Sequence, residues 1–192
     1  MDLLNLMRES REKLKPHWLI AFFISIIYGV LVGVQQELNY YGEFLSFLLA
    51  GPLQLGLSIY ILNIFYDRPA SIENLIEGFK PLLKVLLLYL VISVATIVGF
   101  ILLIVPGIII SLGLSMSYYI LIENPELTIE EILKESWKLT DGYKMQLFVL
   151  HLRFIPWYLL GVLCFIVGIF VVLPWHQLTV ASYYNYLKSQ QG

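Results

Sequence analysis

The longest apolar stretch of the chain covers residues 85–122 and contains no Asp, Glu, Lys or Arg. As a single helix it would be about 57 Å long, twice the ~30 Å hydrocarbon thickness of a bilayer. Proline lacks the backbone donor that continues a helix, and glycine readily adopts left-handed dihedral angles. Pro106 and Gly107 therefore predict two membrane-spanning helices joined by a tight hairpin at residues 105–107.

Other apolar stretches extend this prediction to an all-α, polytopic membrane protein with about six transmembrane helices. The predicted spans are residues 18–34, 44–65, 82–105, 108–122, a segment within 145–173, and a short one from 174 onward. The fifth segment contains Pro156, which leaves two interpretations: one kinked helix, or an interfacial helix up to Arg153 followed by a separate span. The apolar run 147–150 favours the kinked helix.

Charged segments between the spans carry apolar residues at helical spacing, which is typical of helices that lie along a membrane surface. Residues 1–15, 71–80 and 128–139 have this pattern, and we expect them to be interfacial amphipathic helices. Thr128 and Glu131 have the spacing of a capping box, which predicts a helix start at that point. The acidic residues of this last loop suit the helix dipole and are predicted to face water: Glu123, Glu126, Glu130, Glu131 and Glu135.

The composition supports a membrane protein and excludes several other classes. Apolar residues make up 59% of the chain and charged residues 14%, with a mean hydropathy of +0.79. A net charge of −2 offers no basic surface for nucleic acid. The single cysteine, Cys164, excludes an intrachain disulfide.

The positive charges fall on one side of the predicted six-span topology. All 12 Lys and Arg residues lie in the N-terminal segment, near the two charged loops, or close to the C-terminus. The loops around Glu37, Pro106 and Pro174 contain none. Under the positive-inside rule, both termini are expected to be cytoplasmic.

The chain also repeats itself. The sequence Leu-Gly-Leu-Ser occurs at residues 55–58 and again at 112–115, a shift of 57 positions, and the loops after both copies are similar. We interpret residues 1–192 as one membrane domain in which 17–80, 81–141 and 142–188 are three hairpin repeats of the same orientation. The predicted outer tips of these hairpins are Pro52, Pro106 with Gly107, and Pro174.

Several of these segments together resemble a known family. They are GPLQLGLSIY at 51–60, Glu77 to Lys80, IVPGIII at 104–110, the block 118–144, and the closing proline-aromatic and Tyr-Tyr patterns. The chain from Gly51 onward resembles the bacterial integral membrane proteins catalogued as domain of unknown function 975. The resemblance also extends to the membrane portion of certain glycerophosphodiester phosphodiesterases, which implies a membrane module and not a catalytic domain. The chain departs from the family pattern at Arg153 and Pro156, where serine and glycine are expected.

Polar and small side chains form a stripe along the even-numbered spans and predict a shared interior face. They are Gln54, Ser58, Ser111, Ser115, Tyr118, Thr179, Tyr183 and Tyr186. Such groups lack partners in lipid, so we expect them to face one another inside the protein. The stripe fits either hydrogen bonding between and within helices, which we favour, or a polar cavity for a lipid head group or small solute.

One further pair, His151 and Arg153, lies in an apolar segment. An ionisable residue within a membrane suggests function, but a long arginine side chain can also extend back to the interface, and we favour this anchoring role. The sequence contains no paired-carboxylate site, nucleophile elbow, phosphate loop or zinc-like spacing. We therefore predict no catalytic, cofactor or metal site.

These features favour a non-enzymatic membrane module that binds membrane lipids, a partner protein or a peptide. The alternative is a small transporter or permeation subunit that acts as a homo-oligomer, because repeats and broken helices are typical of transporters. The absence of a buried acidic residue in the predicted spans argues against ion-coupled transport.

The predicted topology can be tested by labelling intact cells with a membrane-impermeant thiol reagent. Single cysteines replace Asn39 and Ser71 in a chain whose Cys164 is changed to serine. Because Asn39 lies in the predicted outer loop and Ser71 in a cytoplasmic one, the reagent should label only the cysteine at 39. Labelling at position 71 alone would contradict the topology.

Overall fold

The computed structural model describes residues 2–33, 39–163 and 167–191, which fold into helices connected by short turns and contain no strand. The predicted all-α class is therefore confirmed. Glu37 and Cys164 lie outside the described residues. The helices are α1 (Leu3–Leu14), α2 (Trp18–Gly33), α3 (Asn39–Phe65), α4 (Glu73–Glu77), α5 (Leu82–Leu102), α6 (Ile104–Leu114), α7 (Ser117–Glu123), α8 (Ile129–Thr140), α9 (Lys144–Leu163) and α10 (Val167–Gln191), with a short 3₁₀ helix at Lys15–His17 between α1 and α2.

Four helical segments of the described chain are long and apolar enough to cross a membrane. They are Leu48–Phe65, Leu82–Leu102, Ile104–Glu123 and Lys144–Leu163, of which the third consists of α6 and α7 together. Much of α5 is exposed on the protein surface, as expected for a helix whose solvent is lipid. The chain is thus a helical membrane protein with several candidate spans.

The last helix, α10, lies at the centre of the structure. It packs against α1, α2, α3 and α9, and it also contacts α8. Its side chains Leu178, Ala181 and Tyr183 have no exposed surface. Since α10 is the last helix of the chain and packs against α1 and α2, it joins the two ends of the chain.

The apolar face of the first helix, α1, is covered by protein. Leu3, Met7 and Leu14 are all buried. The Ser10 and Ser182 hydroxyl oxygens lie 3.1 Å apart, within hydrogen-bond distance across α1 and α10. An interfacial helix would direct its apolar face into lipid, whereas this one packs it onto α10.

The hairpin between α5 and α6 turns at a different residue from the one predicted. Leu103, with φ −167° and ψ 156°, is the extended residue between the helices. Pro106 and Gly107 lie in the first turn of α6, where a missing backbone donor costs nothing. Gly107 instead allows α5 and α6 to pack closely. A Cβ atom added to Gly99 of α5 would lie only 2.9 Å from the Cα atom of Gly107.

The other predicted tip prolines also lie elsewhere than expected. Pro52 is inside α3 and Pro174 is inside α10, so neither marks a hairpin tip. The final hairpin is formed by α9 and α10, and α10 already includes Val167, before the predicted start of the sixth span at Pro174. Pro156 lies inside α9, in agreement with the single-helix interpretation. Proline is tolerated within membrane helices because neighbouring groups can satisfy the carbonyl that it leaves unbonded.

The charged loops fold back onto the helices that precede them. The capping box of Thr128 and Glu131 is present at the start of α8. Helix α4 packs on α3 at Gly56, and α8 packs on α6, where the ring of Trp137 covers Gly113. Gly56 and Gly113 are the glycines of the two Leu-Gly-Leu-Ser copies. At both of these equivalent positions the missing side chain leaves room for the helix that packs there, α4 at Gly56 and α8 at Gly113.

Replacing these two glycines should have unequal effects. A Cβ on Gly56 would lie 2.6 Å from the backbone oxygen of Leu75, whereas the three atoms nearest to a Cβ on Gly113 all belong to the Trp137 ring. We expect Gly56→Ala to destabilise the protein by about 1–3 kcal/mol, because backbone moves less easily than a side chain. Gly113→Ala should cost less, as measured by thermal unfolding of the purified protein in detergent. Equal melting temperatures for the two variants would contradict this packing.

Candidate functional site

Half of the predicted polar stripe lines a single cavity in the interior. Gln54 and Ser58 reach it from α3, Ser115 from the break between α6 and α7, and Tyr118 from α7. These side chains come from two parts of the chain about 60 residues apart. The predicted convergence of the stripe is therefore found for these four residues.

The remaining walls come from α7, α9 and α10. They are formed by Tyr119, His151, His176, Gln177 and Val180. The cavity has a volume of about 150 Å³. An apolar cavity of that size holds benzene, so this one has room for a molecule or chemical group of about six heavy atoms.

The hydrogen bonds of the α3 and α6 residues decide which atoms remain for a ligand. Ser58 Oγ donates to the Gln54 carbonyl oxygen at 2.9 Å, and Ser115 Oγ donates to the Leu112 carbonyl oxygen at 2.7 Å. Both hydroxyl protons are thus used within the chain. Tyr28 donates to Gln54 Oε1 at 3.2 Å, which leaves the Gln54 amide nitrogen as a donor.

Two histidines meet at the wall formed by α9 and α10. The ring centroids of His151 and His176 are 4.9 Å apart, edge to face. His151 Nδ1 lies 2.7 Å from the Leu147 carbonyl oxygen, so Nδ1 carries the proton and Nε2 is the acceptor of the neutral ring. His176 Nδ1 lies 2.9 Å from the Tyr158 hydroxyl. Among the described residues, His176 Nε2 is buried without a partner.

The sequence pair His151 and Arg153 does not form one site. His151 borders the cavity, while Arg153 is absent from its lining. Arg153 Nη1 is buried and has no hydrogen-bond partner in the described part of the chain. The residue that accompanies His151 is His176, which the sequence pattern did not single out.

The other residues of the predicted stripe make hydrogen bonds or ring contacts away from the cavity. Ser111 Oγ donates to the Ile108 carbonyl oxygen at 2.9 Å, and Thr179 Oγ1 donates to the Trp175 carbonyl oxygen at 2.8 Å. Tyr183 donates to Gln146 Oε1 at 3.2 Å, and its ring packs against Tyr186. These contacts match the interpretation of the stripe as bonding within and between helices.

A second polar cluster, the Glu123 cluster, joins three helix ends. Glu123 accepts hydrogen bonds from Tyr66 at 2.7 Å, Tyr184 at 2.6 Å and Lys188 at 2.6 Å. Its side chain is only 17% exposed, so the prediction that it faces water is wrong. Burial, and then the hydrogen bond to Glu123, raise the pKa of Tyr66 to about 12 and keep its hydroxyl protonated. Tyr66 and Glu123 are also separated by the 57 positions of the repeat.

No group of three or more His, Cys, Asp or Glu side chains within the described ranges converges as a metal site. The titratable groups of the cavity are two histidines and two tyrosines. The arrangement can donate and accept hydrogen bonds in a partly enclosed site, which suits recognition of a polar group.

Comparison with known proteins gives one match. The model of a family described as "Protein of unknown function (DUF975)" matches residues 92–191, slightly more than half of the chain. No curated protein and no solved structure matches the chain. The matched part includes Ser115, Tyr118, His151 and His176 of the cavity, while Gln54 and Ser58 precede it.

The Glu123 cluster predicts a stability effect that can be measured directly. In Glu123→Gln, the carboxylate charge is lost, and an amide donor faces groups that already donate. We expect a loss of about 1–3 kcal/mol, seen as a lower melting temperature in detergent. Glu126→Gln is the matched control, because Glu126 is exposed in the following loop. If the two variants melted at the same temperature, the cluster would not stabilise the fold.

Proposed function

The chain belongs to the DUF975 family of proteins of unknown function. We propose that it is an integral membrane binding module. Its ligand is a small polar solute or the polar head group of a membrane lipid, held in the interior cavity. The observation that carries this proposal is the convergence of amide, hydroxyl and imidazole groups from four helices on one cavity of about 150 Å³. Among the described residues, His176 Nε2 is buried at the cavity without a partner, and leaving it so costs about 1–3 kcal/mol, so a polar occupant is favoured.

The proposal includes six spans in three hairpins, placed in a bacterial plasma membrane with both termini cytoplasmic. It is supported by the one-sided distribution of Lys and Arg and by the packing of α2 on α3, α5 on α6, and α9 on α10. The similar use of Gly56 and Gly113 supports a duplication of the first two units. On this view the exposed apolar face of α5 contacts lipid or a second copy of the chain.

A non-enzymatic role is part of the proposal. The hydroxyls of Ser58 and Ser115 donate to carbonyls of their own helices and not to a histidine. A serine nucleophile needs an adjacent base that accepts its proton. The bonding of both serines therefore favours binding over acyl transfer.

A second candidate function is transport or permeation as a subunit of a homo-oligomer. The observation that favours it is the break between α6 and α7 at Ser115 and Met116, which borders the cavity. Interrupted helices at a binding site are typical of secondary transporters. In this alternative the cavity is a site on a route across the membrane.

Filling the cavity should remove its occupant. We expect Ser115→Leu to abolish retention of one small polar molecule or lipid that the wild-type protein keeps during purification from bacterial membranes. The leucine side chain occupies the space and removes a polar wall. Native mass spectrometry, followed by extraction and identification of the released compound, measures the occupancy.

Ser111→Leu is the matched control, because Ser111 lies one turn away, has a similar backbone hydrogen bond and does not line the cavity. The control should retain the compound. The proposal would be wrong if wild type carried no stoichiometric compound, or if both variants retained it equally. Movement of the identified compound across proteoliposomes, lost in Ser115→Leu, would establish the transport alternative.

A further inference from the structure

A second feature of the molecule lies outside the polar cavity, where α1 meets the hairpin of α9 and α10. It is an open groove of about 440 Å³. The residues that line it are Leu4, Met7, Arg8, Arg11, Glu12, Trp157 and Trp175. We call this the arginine–tryptophan groove. None of its residues lines the cavity, so its role is independent of the proposed function.

The two arginines of the groove are available to an anion. Both are exposed, and neither forms an ion pair within the described part of the chain. The Arg11 guanidinium lies 5.8 Å from the centroid of the Trp175 ring, a cation–π distance. The carboxylate of the groove, Glu12, is paired with Lys15. The charge left uncompensated in the groove is therefore positive.

The position of the groove on α1 is fixed by buried contacts. Trp175 Nε1 donates to the Met7 carbonyl oxygen at 2.9 Å. Arg8 and Arg11 are three residues apart, so they are neighbours on the α1 surface. The two guanidinium groups are thus held beside the tryptophans by a packed helix.

An exposed apolar track leads from the groove along the α9–α10 hairpin. On α9, Leu160 lies one turn beyond Trp157 and is 52% exposed. On α10, Val171 lies one turn before Trp175 and is 38% exposed, and Val167 one turn earlier is 52% exposed. The track belongs to a hairpin that contains a candidate membrane-spanning helix, so the exposed side chains of the track face lipid.

We propose that the arginine–tryptophan groove binds an anionic phospholipid, with the phosphate at Arg8 and Arg11 and the acyl chains along Leu160, Val171 and Val167. Guanidinium groups bind phosphate oxygens through paired, charge-assisted hydrogen bonds. Tryptophan is enriched at the level of lipid head groups, and basic pockets beside membrane helices recognise anionic lipids. A soluble phosphate or an acidic peptide would use the arginines but would leave the apolar track without a role.

The test is a binding titration of the full chain in detergent with dioctanoyl phosphatidylglycerol, followed by native mass spectrometry. Wild type should bind this lipid more tightly than dioctanoyl phosphatidylcholine or inorganic phosphate. The double variant Arg8→Gln/Arg11→Gln should bind it at least about tenfold more weakly, because charge-assisted hydrogen bonds are lost. The same weakening should appear when the two arginine substitutions are made in Ser115→Leu, whose cavity is filled, and this separates the groove from the cavity.

The charge-matched control is Lys80→Gln/Lys134→Gln, since both lysines are exposed and paired within their own segments. It should bind phosphatidylglycerol within about twofold of wild type. Equal weakening in the two double variants, or equal binding of phosphate or phosphatidylcholine, would overturn the proposal.

A second measurement uses wild-type protein alone and does not depend on how the variants fold. A phosphatidylglycerol with a diazirine in its acyl chain should cross-link to residues 157–163 of α9 or 167–171 of α10. Cross-links confined to other helices would also overturn the proposal.

Discussion

The Glu123 carboxylate, at the end of α7, accepts hydrogen bonds from three donors, one at the end of α3 and two on α10. These hydrogen bonds connect the ends of the three helices. Tyr66 closes α3, while Tyr184 and Lys188 belong to α10. A carboxylate that is largely removed from water is tolerated only when its oxygens are paired and hydrogen-bonded. The same constraint applies to polar groups in any membrane-embedded chain. It explains why polar side chains gather between the helices, in the interior of the protein.

Helix α10 is the element on which these contacts converge. One side receives α1 through Ser10 and Ser182, and another contributes His176 and Gln177 to the cavity. It is also the helix with Tyr184 and Lys188 of the Glu123 cluster. We regard the central position of α10 as the main feature of the fold, because the cavity and the arginine–tryptophan groove both have walls on it.

Hydrophobic pattern and capping chemistry predicted the helices, the start of α8 and the convergence of Gln54 and Ser58 with Ser115. They did not predict the turns. Leu103 is apolar and carries no turn signal, whereas proline, a helix breaker in water, lies within α3 and α10. His176 was missed because its partner His151 is 25 positions away, and only the pairing of α9 with α10 brings their rings together.

The central position of α10 is tested most directly by a disulfide between α1 and α10. The variant Ser10→Cys/Ser182→Cys, with Cys164 changed to serine, is oxidised in membranes and analysed by mass spectrometry. The 3.1 Å separation of the serine oxygens predicts rapid and complete cross-linking within one chain. Ser10→Cys/Ser189→Cys should remain reduced, because Ser189 is exposed about two turns further along α10. Cross-linking at 189 in place of 182 would contradict the account.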